Sequence, residues 1–327
     1  MPQINGQEIG PIGYGLMGLT WRPKPTPHEE AFKAMRAALA EGKNFWNAGE
    51  FYGPPDNNSL TLLEAYFAKY PEDADKVVLS VKGAINPTTH KPDGSPEEIR
   101  RSIDTCLAQL KGRKKIDIFE CARRDPTVPM ATTFAAIQEY VDKGLVGGIA
   151  LSEVAAPTIH EAVKLTKVVA IELEVSLWCT DIFNNGVAAA CAEHNIPIVA
   201  YSPLGSGILT GKFKSIDDLP NPALRDYPRF QPDVFHINLE LVKQAEELAA
   251  KKGCTSAQLA INWARSLSKR PGMPTVIPIP GATRPEMVSE NAKLVDLTTE
   301  EMDEIDATLA KFEIVGGRYP AYIATNT

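Results

Sequence analysis

The 327-residue chain contains no Cys-x-x-Cys pair. Its five cysteines, at 106, 121, 179, 191 and 254, are odd in number and widely spaced. That usage argues against a disulfide framework or a zinc site, and suits reduced thiols. Basic residues are also scarce: 34 Lys and Arg stand against 41 Asp and Glu, a formal charge of −7. A nucleic-acid binder would show the opposite balance on at least one face. No apolar run approaches the roughly 20 residues needed to span a bilayer. The N-terminus, Met-Pro-Gln-Ile-Asn-Gly, has neither a basic nor an apolar leader segment. Tandem repeats and low-complexity tracts are absent. The expectation is a soluble cytoplasmic protein, folded as one domain over 1–327, with no membrane or nucleic-acid partner and no resident metal.

What is present is a regular alternation of short apolar runs and amphipathic stretches. Asn5-Gly6 between extended pieces predicts a hairpin. Ile12 to Gly15 predicts a first strand, followed by a Pro-rich loop and a helix from about His28 to Gly42. Phe45-Trp46-Asn47 and Val77 to Lys82 predict strands two and three. Ser95-Pro96-Glu97-Glu98 has the form of a capping box opening a helix. Ile116 to Phe119, Val146 to Leu151 and Val168 to Val175 predict strands four to six, each followed by a helix. Ile196 to Tyr201 predicts strand seven. The segment 213 to 237, with Pro220, Pro222, Pro228 and Pro232, predicts a long irregular clamp or lid. Thr255 to Gln258 caps a further helix, Thr275 to Ile279 predicts strand eight, and Met302, Ile305, Leu309 and Phe312 mark a last helix.

Eight short strands alternating with helices imply a parallel sheet with crossovers. The predicted fold class is α/β: a (β/α)8 TIM barrel with an N-terminal β-hairpin and an extra C-terminal helix. A doubly wound sheet is the rival, and Gly13-Tyr14-Gly15-Leu16-Met17-Gly18 does have the Gly-x-Gly-x-x-Gly form. Trp21 and three prolines, Pro23, Pro25 and Pro27, follow where its helix should begin, which argues for the barrel.

In such a barrel the polar residues at the C-terminal strand ends carry the chemistry. Strand seven runs into Tyr201-Ser202-Pro203-Leu204-Gly205-Ser206-Gly207, with Lys212 five residues on. A Gly-rich turn after a buried strand offers backbone N–H groups to phosphate oxygens, and Tyr201 offers a flat face to a planar ring. Strand two ends near Tyr52 and strand three at Lys82. An ammonium beside a tyrosine favours the phenolate and is one way to build a general acid.

These segments resemble the aldo-keto reductases. The resemblance carries over the cofactor loop 201–212, the second-strand motif Asn47-Ala48-Gly49-Glu50-Phe51-Tyr52-Gly53 and the strand ending in Lys82. It extends from Gly13 to about Phe312. It implies an NADPH/NADP+-dependent enzyme acting on a small aldehyde, with Tyr52 as general acid, Lys82 as its pKa partner and Asn47 beside them. For the cofactor it implies Ser152 and Glu172 near the nicotinamide, then Tyr201 to Gly207 and Lys212. Gly281, Thr283, Arg284, Met287, Glu290 and Asn291 are implied at the adenosine end. Arg284 suits a 2′-phosphate, which favours NADPH over NADH.

Two departures stand out. Asn47 occupies the place of the family aspartate that pairs with the lysine, and Ala122 that of a histidine which donates to the substrate oxygen. Glu50, Glu120 and Glu172 are candidates to compensate. Without the aspartate, either Lys82 titrates lower or its uncompensated field makes Tyr52 more acidic. Together with Glu172-Leu173-Glu174 and the Gly-Gly-Arg-Tyr tail at 316–319, these departures resemble the fungal pyridoxal reductase subgroup. Reduction of pyridoxal to pyridoxine is therefore the leading expectation. A general aromatic aldehyde reductase and a cofactor-binding regulatory barrel of low turnover are the alternatives.

Overall fold

The computed structural model describes residues 1–219, 222–323, 325 and 327, so Pro220 of the predicted clamp lies outside the described residues. The chain opens with a hairpin, β1 (Gln3–Ile4) and β2 (Gln7–Glu8), turning through Asn5 and Gly6, both at positive φ. Such a pair of left-handed residues is what a two-residue hairpin turn requires. Eight parallel strands follow: β3 (Tyr14–Gly15), β4 (Phe45–Gly49), β5 (Val78–Gly83), β6 (Ile118–Cys121), β7 (Ile149–Ser152), β8 (Val168–Glu174), β9 (Ile198–Tyr201) and β10 (Val276–Pro278). Each pairs with its neighbours in sequence order. The sheet curls until Gly15 bridges Gly281, Gly13 donates to the Pro278 carbonyl at 2.9 Å, and the Tyr14 hydroxyl reaches the Ala282 carbonyl at 2.6 Å. The arrangement is a TIM-barrel-like α/β fold, as the alternation of elements predicts.

Side chains of period two divide the barrel interior into layers. The lower layer is apolar, with Phe45, Val78, Ile118, Ala150, Ala170 and Val199, and the hairpin plugs it from below with Ile4 and Ile9. Two residues further along the same strands stand Asn47, Ser80, Glu120, Ser152, Glu172 and Tyr201. The interior thus turns from dry and apolar to charged in one step of the pleat. Outside the sheet, the helices bury a separate core that includes Trp46, Tyr66, Phe119, Ile171 and Trp263.

Among the described residues, side-chain caps mark the starts of four α-helices, at Asn58, Ser95, Thr255 and Thr298. Asn58 accepts from the Leu60 and Thr61 amides, and Thr255 and Thr298 form complete capping boxes. Such caps contribute about 0.5–2 kcal/mol each. The box predicted at Ser95 is only half formed. Ser95 accepts from the Glu98 amide, but the Glu98 carboxylate is drawn to Arg101 at 2.6 Å. A charged partner outcompetes the neutral backbone donor that the box requires.

The segment 213–237 departs from a wholly irregular clamp. Short 3-10 turns at Ile216–Asp218, Pro222–Asp226 and Pro228–Phe230 lead into a 21-residue helix, Pro232–Lys252. Pro232 sits in its first turn, where proline's fixed φ helps rather than breaks. The extra C-terminal helix is Thr299–Leu309. Among the described residues, no helix is long and apolar enough to cross a membrane.

Candidate active site

Lys82 points into the upper layer and is buried. Its Nζ lies 2.7 Å from Glu172 Oε1 and 3.6 Å from Glu120 Oε1. The other oxygen of Glu172 accepts from Asn47 Nδ2 at 2.6 Å, and Ser80 Oγ donates to Glu120 Oε2 at 3.4 Å. Burial opposes the charge on Lys82, but Glu172, Tyr52 and Glu120 outweigh it, so its pKa is pushed up and the ammonium persists. Burial and the charge of Glu172 together push the Glu120 carboxyl well above the usual range. One ammonium therefore faces two carboxyl groups, and of these Glu120 is held back from ionising by burial and by its neighbour. Position 47 offers only an amide, and the carboxyl group closest to Lys82 comes instead from Glu172, across the barrel. Glu50, the third candidate for compensation, is committed elsewhere: it binds Arg101 at 2.6 Å and Ser102 Oγ at 2.6 Å.

Tyr52 follows β4 in a tight loop. Its carbonyl accepts from Thr20 Oγ1 at 2.6 Å and from the Ser59 amide at 3.1 Å. A Cβ on Gly49 would stand 2.9 Å from the Tyr52 ring, so glycine is needed for the ring to lie against the strand. Burial raises the phenol pKa to about 12; Lys82 pulls it down, while Glu172 and Glu120 push it up. The prospect of a more acidic phenol is not met, because burial outweighs the pull of Lys82, which Glu172 and Glu120 further offset. Trp21 stacks on Tyr52 with centroids 5.8 Å apart and planes at 29°, and half of it is exposed. Phe51 meets both rings edge-on.

The tips of β7, β8 and β9 form the next wall. Ser152 Oγ is buried without a partner, a hydroxyl that needs one. Glu153, at φ 55° and fully buried, accepts from the Glu174 amide at 3.0 Å, from Tyr201 Oη at 2.8 Å and from both terminal nitrogens of Arg318 at 2.8 and 3.0 Å. Burial raises its pKa, but hydrogen bonds and charge from Arg318 outweigh that and hold it low. Tyr201 has Lys82 Nζ 4.9 Å from its ring centroid, and its hydroxyl lies 2.8 Å from that of Tyr319. The Gly-Gly-Arg-Tyr tail is thus folded back over the strand tips. Gly316 is required there, since at φ 89° a Cβ would lie 2.7 Å from the Pro228 carbonyl carbon. Arg123 stands over the Tyr319 ring at 5.9 Å.

Beyond Tyr201 the backbone changes hand repeatedly. Positive φ occurs at Ser202, Gly205, Ser206, Gly207 and Gly211. Such alternation makes concave nests of N–H groups that suit anions. Pro203 and Gly205 are buried, Leu204 is half-buried, and Ser206 and Lys212 are exposed. Backbone conformation also demands glycine at 211, where φ is +70°. Gly281 lies at the barrel seam, followed by half-buried Thr283 and exposed Arg284, the N-cap residue of the helix Pro285–Ala292. Met287 and Glu290 are half-buried on that helix and Asn291 is buried. Among the described residues, no carboxylate forms an ion pair with Arg284. A flat ring, an unpartnered buried hydroxyl, an N–H nest and an uncommitted guanidinium fit a phosphorylated dinucleotide. Glu172 and Glu153, by contrast, are already engaged inside the protein.

Sequence reasoning brings Tyr52, Lys82, Asn47, Ser152, Glu172 and Tyr201 to the strand tips. It does not find Trp21, Arg123, Arg318 or Tyr319 as wall residues, nor Glu153 as the tail's anchor. The glycine pair before Arg318 was the one available signal.

A sequence model of the aldo/keto reductase family matches residues 11–310. The chain is 44% identical over 328 residues to a Schizosaccharomyces pombe protein named "Probable pyridoxal reductase 2", covering 98% of this chain and 97% of that one. It is 32% identical to the S. pombe aldo-keto reductase yakc, whose name specifies NADP(+), over 97% and 94% of the two chains. Among solved structures, a glycerol dehydrogenase from Gluconobacter oxydans matches with a TM-score of 0.82 at 23% identity, covering 98% of both chains.

Proposed function

The chain belongs to the aldo/keto reductase family, and from that premise we propose that it reduces an aldehyde to a primary alcohol with NADPH, pyridoxal to pyridoxine foremost. The observation that carries this reading is the buried Tyr52 in the field of Lys82, whose ammonium is held by Glu172 and Glu120. Bound along Tyr201, the 202–212 turn and Arg284, NADPH would supply the hydride. Ser152 Oγ, buried without a partner among the described residues, would be available to the nicotinamide. A carbonyl oxygen that gains negative charge needs a proton, and Tyr52 holds one throughout neutral pH. Lys82 steadies the phenolate that the transfer leaves.

Ala122 places no donor where the family has histidine. Pyridoxal carries a phenolic hydroxyl beside its aldehyde, which can hydrogen-bond the carbonyl internally and so supply part of that polarisation. The exposed half of Trp21 adds a flat face beside Tyr52, suited to a planar aromatic ring. The test is NADPH oxidation with pyridoxal and with a pyridine aldehyde lacking the neighbouring hydroxyl. Pyridoxal should turn over much faster; equal kcat/KM would count against the substrate assignment. Binding of NADPH with no turnover of any aldehyde would favour the regulatory reading instead.

A further inference from the structure

On the outer face of the barrel, away from the strand tips, two histidines meet. His160 lies in the helix Ala156–Leu165, and His194 is the C-cap residue of the helix Val187–Glu193. His160 Nδ1 and His194 Nε2 are 3.0 Å apart, with the rings edge to face at 73°. Glu193 Oε1 lies 3.8 Å from His194 Nε2, and the three ligand atoms fall within 4.8 Å of one another. We propose that His160, His194 and Glu193 form a binding site for a divalent transition metal of the zinc class, unrelated to the reductase chemistry.

The donor set decides the class. Two imidazole nitrogens and a carboxylate oxygen suit zinc, with water as a fourth ligand, far better than magnesium or calcium. Two nitrogens on one tetrahedral zinc stand about 3.3 Å apart, given Zn–N distances of about 2.0–2.1 Å. The observed 3.0 Å needs only a few tenths of an ångström of opening. The Glu193 side chain is 65% exposed and free to swing inward. Without metal one ring donates its N–H to the other; on metal binding the donor ring carries that proton on its other nitrogen, which leaves both facing lone pairs free to ligate. The two helices flank β8 in sequence, one before it and one after. Bound metal therefore staples the two crossovers on either side of that strand. His194 lies before the start of β9, at the barrel end opposite Tyr201.

The experiment is Zn2+ titration of the full chain by calorimetry and thermal unfolding, alongside His160→Ala, His194→Ala and a Mg2+ control. One Zn2+ should bind per chain. At roughly a hundredfold excess over Kd it should raise the unfolding temperature by several degrees. Each histidine variant should lose about tenfold or more in affinity while keeping wild-type aldehyde reduction. Cys191 shares a helix with Glu193, so Co2+ spectra add an independent readout: visible bands of a tetrahedral site without near-ultraviolet thiolate absorption. Equal Zn2+ affinity in wild type and both variants, a thiolate band, or no stoichiometric binding would each overturn the site.

Discussion

Lys82 and Glu172 make their 2.7 Å contact across the interior of the barrel, not along the sheet. Their strands, β5 and β8, are separated by β6 and β7. Asn47 reaches Glu172 from still further round, on β4. Glu120, in contrast, is the register neighbour of Lys82 on the adjoining strand. The ammonium therefore has one partner that depends on barrel closure and one that depends only on local pairing.

The two carboxyl groups should back each other up. Glu172→Gln or Glu120→Gln alone leaves Lys82 with one partner. The double variant leaves a buried cation alone, which costs about 3–5 kcal/mol. Denaturant unfolding of the four proteins should show a double loss larger than the sum of the singles. Additive losses would show that the pair does not share the burden.

Glu120 also sets a pH signature. Its raised pKa means the folded state keeps a proton that the unfolded state releases, so its contribution to stability falls as pH rises from about 4.5, its unfolded value. Glu120→Gln removes that titration. The stability difference, variant minus wild type, should rise with pH from the acid side towards neutrality. A flat difference would mean that Glu120 ionises normally.

Removing the Tyr52 hydroxyl should leave cofactor binding intact and collapse carbonyl reduction. Loss of a positioned general acid costs about 10²–10⁴-fold. Single-turnover NADPH oxidation with saturating pyridoxal, read for Tyr52→Phe beside cofactor affinity by fluorescence, checks both halves. Activity within a few-fold of wild type would exclude Tyr52 as the acid.

With the Tyr52 pKa at about 12, reduction should be insensitive to pH between about 6 and 9, because the proton is always present. Alcohol oxidation needs the phenolate and should climb with pH throughout that range. Rate profiles in both directions test this. A reductive rate that falls with an apparent pKa near 8 would place the acid elsewhere.

The exposed, uncommitted Arg284 should select the 2′-phosphate. Arg284→Ala is expected to weaken NADPH by roughly ten- to a hundredfold, in line with a lost charge-assisted contact of about 1.5–3 kcal/mol, and to leave NADH unchanged. An unaltered NADPH to NADH affinity ratio would remove Arg284 from the cofactor site.

The site was legible wherever the chemistry followed strand periodicity. The step from Phe45 to Asn47, or from Ile118 to Glu120, is visible in sequence because one pleat separates apolar floor from polar chamber. Which of the three candidates, Glu50, Glu120 or Glu172, reaches Lys82 was not legible, since spacing along the chain does not say which strands face each other across a closed sheet. The tail was less legible still. Arg318 and Tyr319 lie outside any periodic element, so no pattern aims them at Glu153 and Tyr201. The helix Pro232–Lys252 was obscured because Pro232 reads as a breaker until its place in the first turn is known.

The seam between β3 and β10 has a kinetic consequence. The Tyr14 hydroxyl and the Ala282 carbonyl that it bonds are separated by 268 residues of chain. Nearly the whole polypeptide must exist before the first strand finds its last neighbour. Until then β3 offers one unpaired edge, and the charged chamber lacks the curvature that brings Glu172 to Lys82. Contacts so distant in sequence carry a large loop-closure entropy and slow the search for the native state. Refolding should therefore proceed through an open-sheeted species with an unpaired edge, the form of this protein most exposed to aggregation.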